Sequence, residues 1–282
     1  MINYLLLTKP GIVFGNLITL MAGFLLASKT TFNSILFLTS LAGLSCIMAS
    51  ACVFNNYIDR NIDKRMKRTR ERPLVTGLIN HRHALIFAIF LGITGYTILF
   101  VYTNALTLAI AAIGFFIYVV LYSLWKQKTV FATAIGSLAG AIPPVVGYCA
   151  VSNQIDAGAI LLFMLMVFWQ MPHFFSIALY RLDDYRKAGI PVLPLEKGVF
   201  RTKIHMCIYI LLFIPTTLLL TYYQYTGLFF FVTVFICGLC WLGLALRGFQ
   251  VKDDQKWGRQ MFQFSLITLM AISVIIPLDI VN

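Results

Sequence analysis

Acidic residues are scarce in this sequence: only ten Asp and Glu occur among 282 positions, and charged residues of both signs make up 11% of the chain. Soluble domains carry about a quarter charged residues, so a chain that faces water on all sides is excluded. Histidine is rarer still, with four residues. Of the six cysteines, only Cys237 and Cys240 form a CxxC pair, and no second pair accompanies it. Apolar surroundings make such thiols small packing groups, so no metal or redox centre is expected from them. The first apolar run lacks a small-residue cleavage site, and no Arg-rich transit stretch precedes it. Both absences favour a prokaryotic inner membrane over secretion or organelle import.

What the sequence has instead is apolar residues in long pieces, 60% of the chain, with a mean hydropathy of +0.86. Runs such as 84–104 and 204–223 fit membrane helices of about 20 residues. They do not fit the short alternating strands of a membrane β-barrel. The pattern predicts nine spans, at 10–28, 34–57, 83–103, 105–123, 131–151, 156–180, 204–224, 226–246 and 259–279. The expected architecture is an all-α integral membrane protein with a single domain over residues 1–282. Pro143, Pro144 and Pro172 interrupt helical patterns; they fit either packing geometry or a cavity between helices.

Basic residues test this topology. The N-terminus and the connections near 58–82, 124–130, 181–203 and 247–259 hold every one of the 22 Lys and Arg residues except Lys29. That asymmetry places those segments, and the N-terminus with them, on the cytoplasmic side, and nine spans then put the C-terminus outside. The net charge of +12 is therefore a topology signal, and nucleic acid is not an expected partner.

The few acids cluster on the cytoplasmic connections. Residues 55–63 read NNYIDRNID, and a four-residue step on a helix rises about 6 Å and returns to nearly the same face. Asn55, Asp59 and Asp63 thus form a ladder of oxygen donors at the end of an apolar span. Acids at membrane depth need protein, water or a ligand beside them. Pairing with Arg60, Lys64, Lys67 and Arg68 is the plain explanation. The continuation KRMKRTRERPL adds six bases before Pro73, and carboxylates beside bases suit a magnesium–diphosphate complex. Magnesium takes one or two carboxylates plus phosphate oxygens, while Lys and Arg neutralise the remaining charge. The second connection repeats the formula in YRLDDYRKAGIPVLP, residues 180–194, with Asp183 and Asp184 among Arg181, Arg186 and Lys187. A diphosphate on a membrane-soluble tail is a polyprenyl diphosphate. Its departure leaves an allylic cation that spans could shield from water and aromatic faces could stabilise; Tyr118, Tyr122, Trp169 and Phe174 are candidates.

Four stretches carry a resemblance: LTKPGIV at 7–13, the first motif through RTRERPL at 68–74, AIPPVVGYCA at 141–150, and WQMPHFFSIALYRLDDYRKAGIPVLP at 169–194. Together they resemble the UbiA-like intramembrane prenyltransferases, and within them the branch that farnesylates haem. The resemblance covers most of the chain, and the last stretch is the most specific. It implies nine helices around a central cavity, and transfer of farnesyl from farnesyl diphosphate to a vinyl group of haem B with addition of water, giving haem O. It implies Mg2+ as cofactor and a haem A synthase or terminal oxidase as recipient. Asn55, Asp59, Asp63, Asp183 and Asp184 match its metal positions, and the four aspartates its catalytic set. Arg68 and Arg72 match the basic continuation. Lys64, Tyr122, Lys126, Tyr180, Arg181 and Lys187 complete the expected substrate contacts. Quinone-forming relatives usually space the second-motif acids by four, where this chain has Arg181 and Tyr185. His173 is either a core histidine or a haem contact, since imidazole commonly ligates haem iron. His81, His83 and His205 are expected at membrane edges. The competing readings are a sister prenyltransferase with a quinone precursor as acceptor, a cation or lipid transporter with Asp59 and Asp63 at its site, and a binding scaffold.

Overall fold

Asparagine and aspartate at the heads of apolar segments set where helices begin. Their short side chains accept from backbone N–H groups that the first helical turn leaves unpaired. Asn33 accepts from Leu36 at 3.0 Å, Asn80 from Arg82 at 2.8 Å, Asn104 from Thr107 at 2.8 Å, Asp156 from Ala159 at 3.2 Å and Asp253 from Lys256 at 2.9 Å. The computed structural model describes residues 2–29 and 31–281. Among the described residues nine helices are long and apolar enough to cross a membrane: α1 (Pro10–Ser28), α2 (Ser34–Asp63), α3 (His81–Tyr102), α4 (Ala105–Trp125), α5 (Ala132–Ser152), α6 (Ala157–Tyr180), α7 (Val199–Tyr222), α8 (Leu228–Gln250) and α9 (Asp254–Leu278).

Three helix ends differ from the sequence expectation by five residues or more. Helix α2 runs to Asp63 rather than 57, α7 starts at Val199 rather than 204, and α9 starts at Asp254 rather than 259. Polar residues at these ends stay helical because partners from other elements satisfy them. In α7 and α9, for example, buried Lys203 donates to the Gly248 carbonyl at 2.7 Å and pairs with Asp254 at 2.5 Å. Thirty residues of α2 span about 45 Å at the helical rise, longer than the roughly 30 Å hydrocarbon core of a bilayer. Its last turns, which carry Asn55, Asp59 and Asp63, therefore reach the interface.

The prolines act differently from one another. Pro172 lies inside a continuous α6. Pro143 and Pro144 begin the second piece of α5, Ile142–Ser152, after a break at Ala141. Helix α4 contains a π-helical stretch, Ile117–Tyr122, a local widening that recurs at functional sites. Helix α1 packs on α5, α2 and α9, and α6 packs on α5, α7 and α9. Between these helices a cavity opens toward the loop side. A cap closes over it, made of the segment after α2, a short helix Leu182–Ala188 and the stretch beyond it. Ile62, Met66, Ala178, Ala188, Ile190 and Val192 form the cap's own apolar cluster.

The tightest crossing joins α1 to α5. A Cβ at Gly23 would lie 2.0 Å from the Pro144 carbonyl oxygen, and one at Gly147 would lie 2.1 Å from the Leu20 carbonyl oxygen. Small residues allow this backbone approach, as at many membrane-helix interfaces. Gly147→Val therefore forces α1 away from α5 and costs about 1–3 kcal/mol, expected as a lowered melting temperature of the detergent-purified protein.

Candidate active site

The ladder seen in the sequence is one buried face of α2. Asn55, Asp59 and Asp63 are 3%, 2% and 4% exposed, and all three line the cavity. Each rung holds one cation, and each cation comes from a different element. Lys9, just ahead of α1, donates to Asn55 Oδ1 at 2.5 Å. Lys126, just past α4, pairs with Asp59 Oδ2. Arg72, in the loop after α2, donates to Asp63 Oδ2 at 2.7 Å and to Asn56 Oδ1 at 3.0 Å.

Local backbone features aim these cations. Lys9 adopts a left-handed conformation, φ 52° and ψ 63°, uncommon for a residue with a side chain. Neighbouring bonds hold it there: Asn56 Nδ2 donates to the Leu7 carbonyl at 2.8 Å. Burial disfavours the charged ammonium, and the Lys9 pKa falls to about 8, with the Arg72 charge adding to the decrease and Asp59 opposing it. The π-helical stretch of α4 stacks Tyr118 on Tyr122, with centroids 5.6 Å apart and planes 15° from parallel. Both rings line the cavity. Ser123, one residue on, accepts from Asn55 Nδ2 at 3.1 Å and donates to the Tyr118 carbonyl at 3.0 Å, fixing the ladder's first rung to α4.

The cavity encloses about 690 Å3. Its loop end is polar, with Arg68 joining the residues above. Its deeper wall is apolar and aromatic: Phe115, Trp169, His173, Phe174, Phe262 and Leu269. Ile12 of α1 and Leu266 of α9 line the cavity and are 51% and 40% exposed.

The second motif arrives differently. Among the expected site residues, Asn55, Asp59, Asp63, Arg68, Arg72, Tyr122, Lys126 and His173 line the cavity, and Lys64, Tyr180, Arg181, Asp183, Asp184 and Lys187 do not. Asp183 faces outward, accepting from Arg186 at 2.8 Å and from Gln255 at 3.2 Å. Asp184 is buried and accepts from the Lys67 backbone N–H at 3.2 Å, so it ties the two loops of the cap together. Arg181 lies over the Tyr180 ring at 4.3 Å. The same segment supplies the cavity wall with Tyr185, Ile190, Pro191 and Val192; burial raises the Tyr185 phenol above its ordinary pKa. Sequence reasoning missed Lys9, Ser123 and Tyr185 as site residues. A lone lysine beside a proline, on the basic side of the first span, was the available signal for Lys9.

The residues present fit a magnesium–diphosphate head group. Asp59 Oδ1 is buried without a hydrogen-bond partner. Among the described residues no cluster of three or more His, Cys, Asp or Glu could hold a metal alone. A magnesium ion at the ladder would complete its shell from phosphate oxygens and water, its common mode of binding.

A buried acid ladder with paired bases, at the head of an apolar cavity between membrane-length helices, is the architecture of an intramembrane enzyme. Residues 16–267 match the UbiA prenyltransferase family, and the chain belongs to it. A protein described as protoheme IX farnesyltransferase from Protochlamydia amoebophila is 58% identical over the whole of both chains. One of the same description from Yersinia pseudotuberculosis is 51% identical, over 98% of this chain and 94% of that one. Among solved structures, one from work on digeranylgeranylglyceryl phosphate synthase superposes with a TM-score of 0.82 at 18% identity, over 98% of this chain and 96% of that one. A UbiA homologue from Archaeoglobus fulgidus, bound to DMAPP and Mg2+, gives 0.75 at 17% identity over 97% and 99%. These two likenesses establish the fold.

The two motifs predict unequal stabilities. Arg72→Met strands the buried Asp63 carboxylate and costs about 2–3 kcal/mol, the buried-pair penalty discounted for the partial exposure of Arg72. Asp183→Asn breaks a pair whose side chains are 62% and 60% exposed and changes stability by less than about 1 kcal/mol. Thermal unfolding of both variants in the same detergent compares them.

Proposed function

We propose that this protein transfers the farnesyl group of farnesyl diphosphate to a vinyl group of haem B, giving haem O and diphosphate. The observation that carries the reading is the three-rung ladder with its three cations at the head of the apolar cavity. Full-length identity of 51–58% to proteins described as protoheme IX farnesyltransferase supports the choice of acceptor.

Asn55, Asp59 and Asp63 would hold Mg2+, and the ion would offset charge on the diphosphate. Lys9, Arg72 and Lys126, once released from the ladder, bind the phosphate oxygens together with Arg68. The bond between farnesyl C1 and the diphosphate oxygen breaks, and its electron pair leaves with diphosphate. Tyr118 and Tyr122 present ring faces near the head group, suited to the allylic cation. The terminal vinyl carbon of haem then bonds to C1. Water adds to the carbon beside the porphyrin and loses a proton. Closing the cap over the cavity keeps water from the allylic cation before the vinyl group traps it.

The second motif acts through the cap. Asp184 holds the two loops together, and a metal contact by Asp183 requires it to leave Arg186 and Gln255. Lys64, Tyr180, Arg181 and Lys187 line the approach from the basic side, which the charge asymmetry assigns to the cytoplasm, with the C-terminus on the opposite side of a bacterial cytoplasmic membrane. Haem O released here goes to a haem A synthase or a terminal oxidase.

Purified protein incubated with haem B, farnesyl diphosphate and Mg2+ is expected to form haem O, detected by mass spectrometry, and EDTA is expected to abolish it. Prenyl transfer only to a quinone precursor would move the acceptor and leave the reaction class. Asp59→Ala and Asp63→Ala are each expected to reduce turnover by at least about 100-fold, corresponding to about 2.7 kcal/mol of transition-state stabilisation, while the protein still purifies folded. Near-normal turnover in both variants would remove the ladder from the chemistry.

A further inference from the structure

His173 lies in α6 seven residues before its end at Tyr180, about 10 Å below the loop side at the helical rise, and it lines the cavity. Its ring is flanked by Trp169, 4.7 Å away and 22° from parallel, and by Phe262, 5.1 Å away. One residue on the facing helix, Ser265 of α9, controls both the histidine and the tryptophan. The Ser265 backbone carbonyl accepts from Trp169 Nε1 at 2.9 Å. Its hydroxyl oxygen lies 2.7 Å from His173 Nδ1.

The direction of that second bond is fixed by a third. Ser265 Oγ stands 2.6 Å from the Phe262 carbonyl oxygen. Two oxygens approach so closely only with a proton between them, and a hydroxyl has one proton to give. Ser265 therefore donates to Phe262 and can only accept from His173. The imidazole proton must sit on Nδ1, and Nε2 keeps its lone pair. Among the described residues Nε2 has no protein hydrogen-bond partner, although the residue faces the cavity. Ser265 itself is fully buried, so water does not compete for its hydroxyl.

An imidazole with one nitrogen tied to an acceptor and the other bare is the arrangement of metal-ligating histidines, whose outer partner sets both tautomer and basicity. We infer that Ser265 is a positioning residue that locks His173 in the Nδ1–H tautomer, so that His173 Nε2 ligates the haem iron and orients the acceptor in the cavity. The inference rests on haem B being the acceptor. Iron ligation anchors the macrocycle at the apolar depth of the cavity, while the diphosphate is held at its polar end. That separation leaves the vinyl edge to meet farnesyl C1 between them.

The test is resonance Raman and absorption spectroscopy of the full-length protein in detergent, loaded with haem B and reduced. The wild type is expected to show an iron–imidazole stretch. His173→Ala is expected to lose it and to regain it with added imidazole. Ser265→Ala removes the hydroxyl but keeps the carbonyl that holds Trp169. It is expected to shift the stretch to lower frequency and to weaken haem binding about 10-fold, the usual scale for an outer-shell partner; Ser265→Thr is expected to restore both. Haem that binds and is farnesylated without an iron–imidazole stretch in the wild type would overturn the inference and leave the proposed reaction standing. That outcome needs no variant to fold. An unchanged spectrum and affinity in Ser265→Ala would remove the serine's role. Failure of the wild type to bind haem at all would overturn the acceptor assignment and the ligation together.

Discussion

The pairing of three cations with the polar tail of α2 is the constraint on which the active end depends. Left alone, a helix tail carrying Asn55, Asp59 and Asp63 would fray into water. Here Lys9, Lys126 and Arg72 each seize one rung, and they arrive from the N-terminal segment, from the end of α4 and from the loop after α2. The contacts extend α2 beyond its apolar run and draw three other elements to it. Burying charges is expensive unless each is paired, so removing one member leaves its partner's charge buried and uncompensated. The arrangement also gathers three cations around the oxygens of one helix face.

The rest of the fold positions this cluster over an apolar chamber. Close contact of α1 with α5, permitted by Gly23 and Gly147, fixes one wall. Helices α6 and α9 supply the aromatic floor, cross-linked through Ser265. The π-helical turn of α4 brings Tyr118, Tyr122 and Lys126 into register with the ladder; as a regular helix the segment would rotate those side chains relative to α2. The chamber thus joins an apolar wall to a polar end.

The two acid-containing loops look alike in sequence and differ in structure. In the first, the acids lie on a helix whose one face is buried, so period and burial agree and all three point into the cavity. In the second, Asp183 and Asp184 are adjacent on a short helix, and adjacent helical positions diverge by about 100°. One therefore turns to solvent and the other into the cap, where it meets the Lys67 backbone. The apolar and aromatic residues around the acids, Tyr185 and Ile190 to Val192, are what that loop gives the cavity.

Much of this protein was legible in its residues alone. Apolar run lengths and the one-sided distribution of Lys and Arg settled nine spans, because a bilayer imposes a fixed length and leaves little freedom in how the chain meets it. The four-residue spacing of Asn55, Asp59 and Asp63 settled a shared face, because helical geometry is local. Partners could not be read the same way. That Lys9 meets Asn55 across 46 positions, that Asp184 serves a backbone amide rather than the ladder, and that Ser265 lies beside His173 Nδ1 from 92 residues away depend on how helices pack. Sequence spacing carries one helix's periodicity; only the assembled bundle decides which side chains from different helices come within hydrogen-bonding distance.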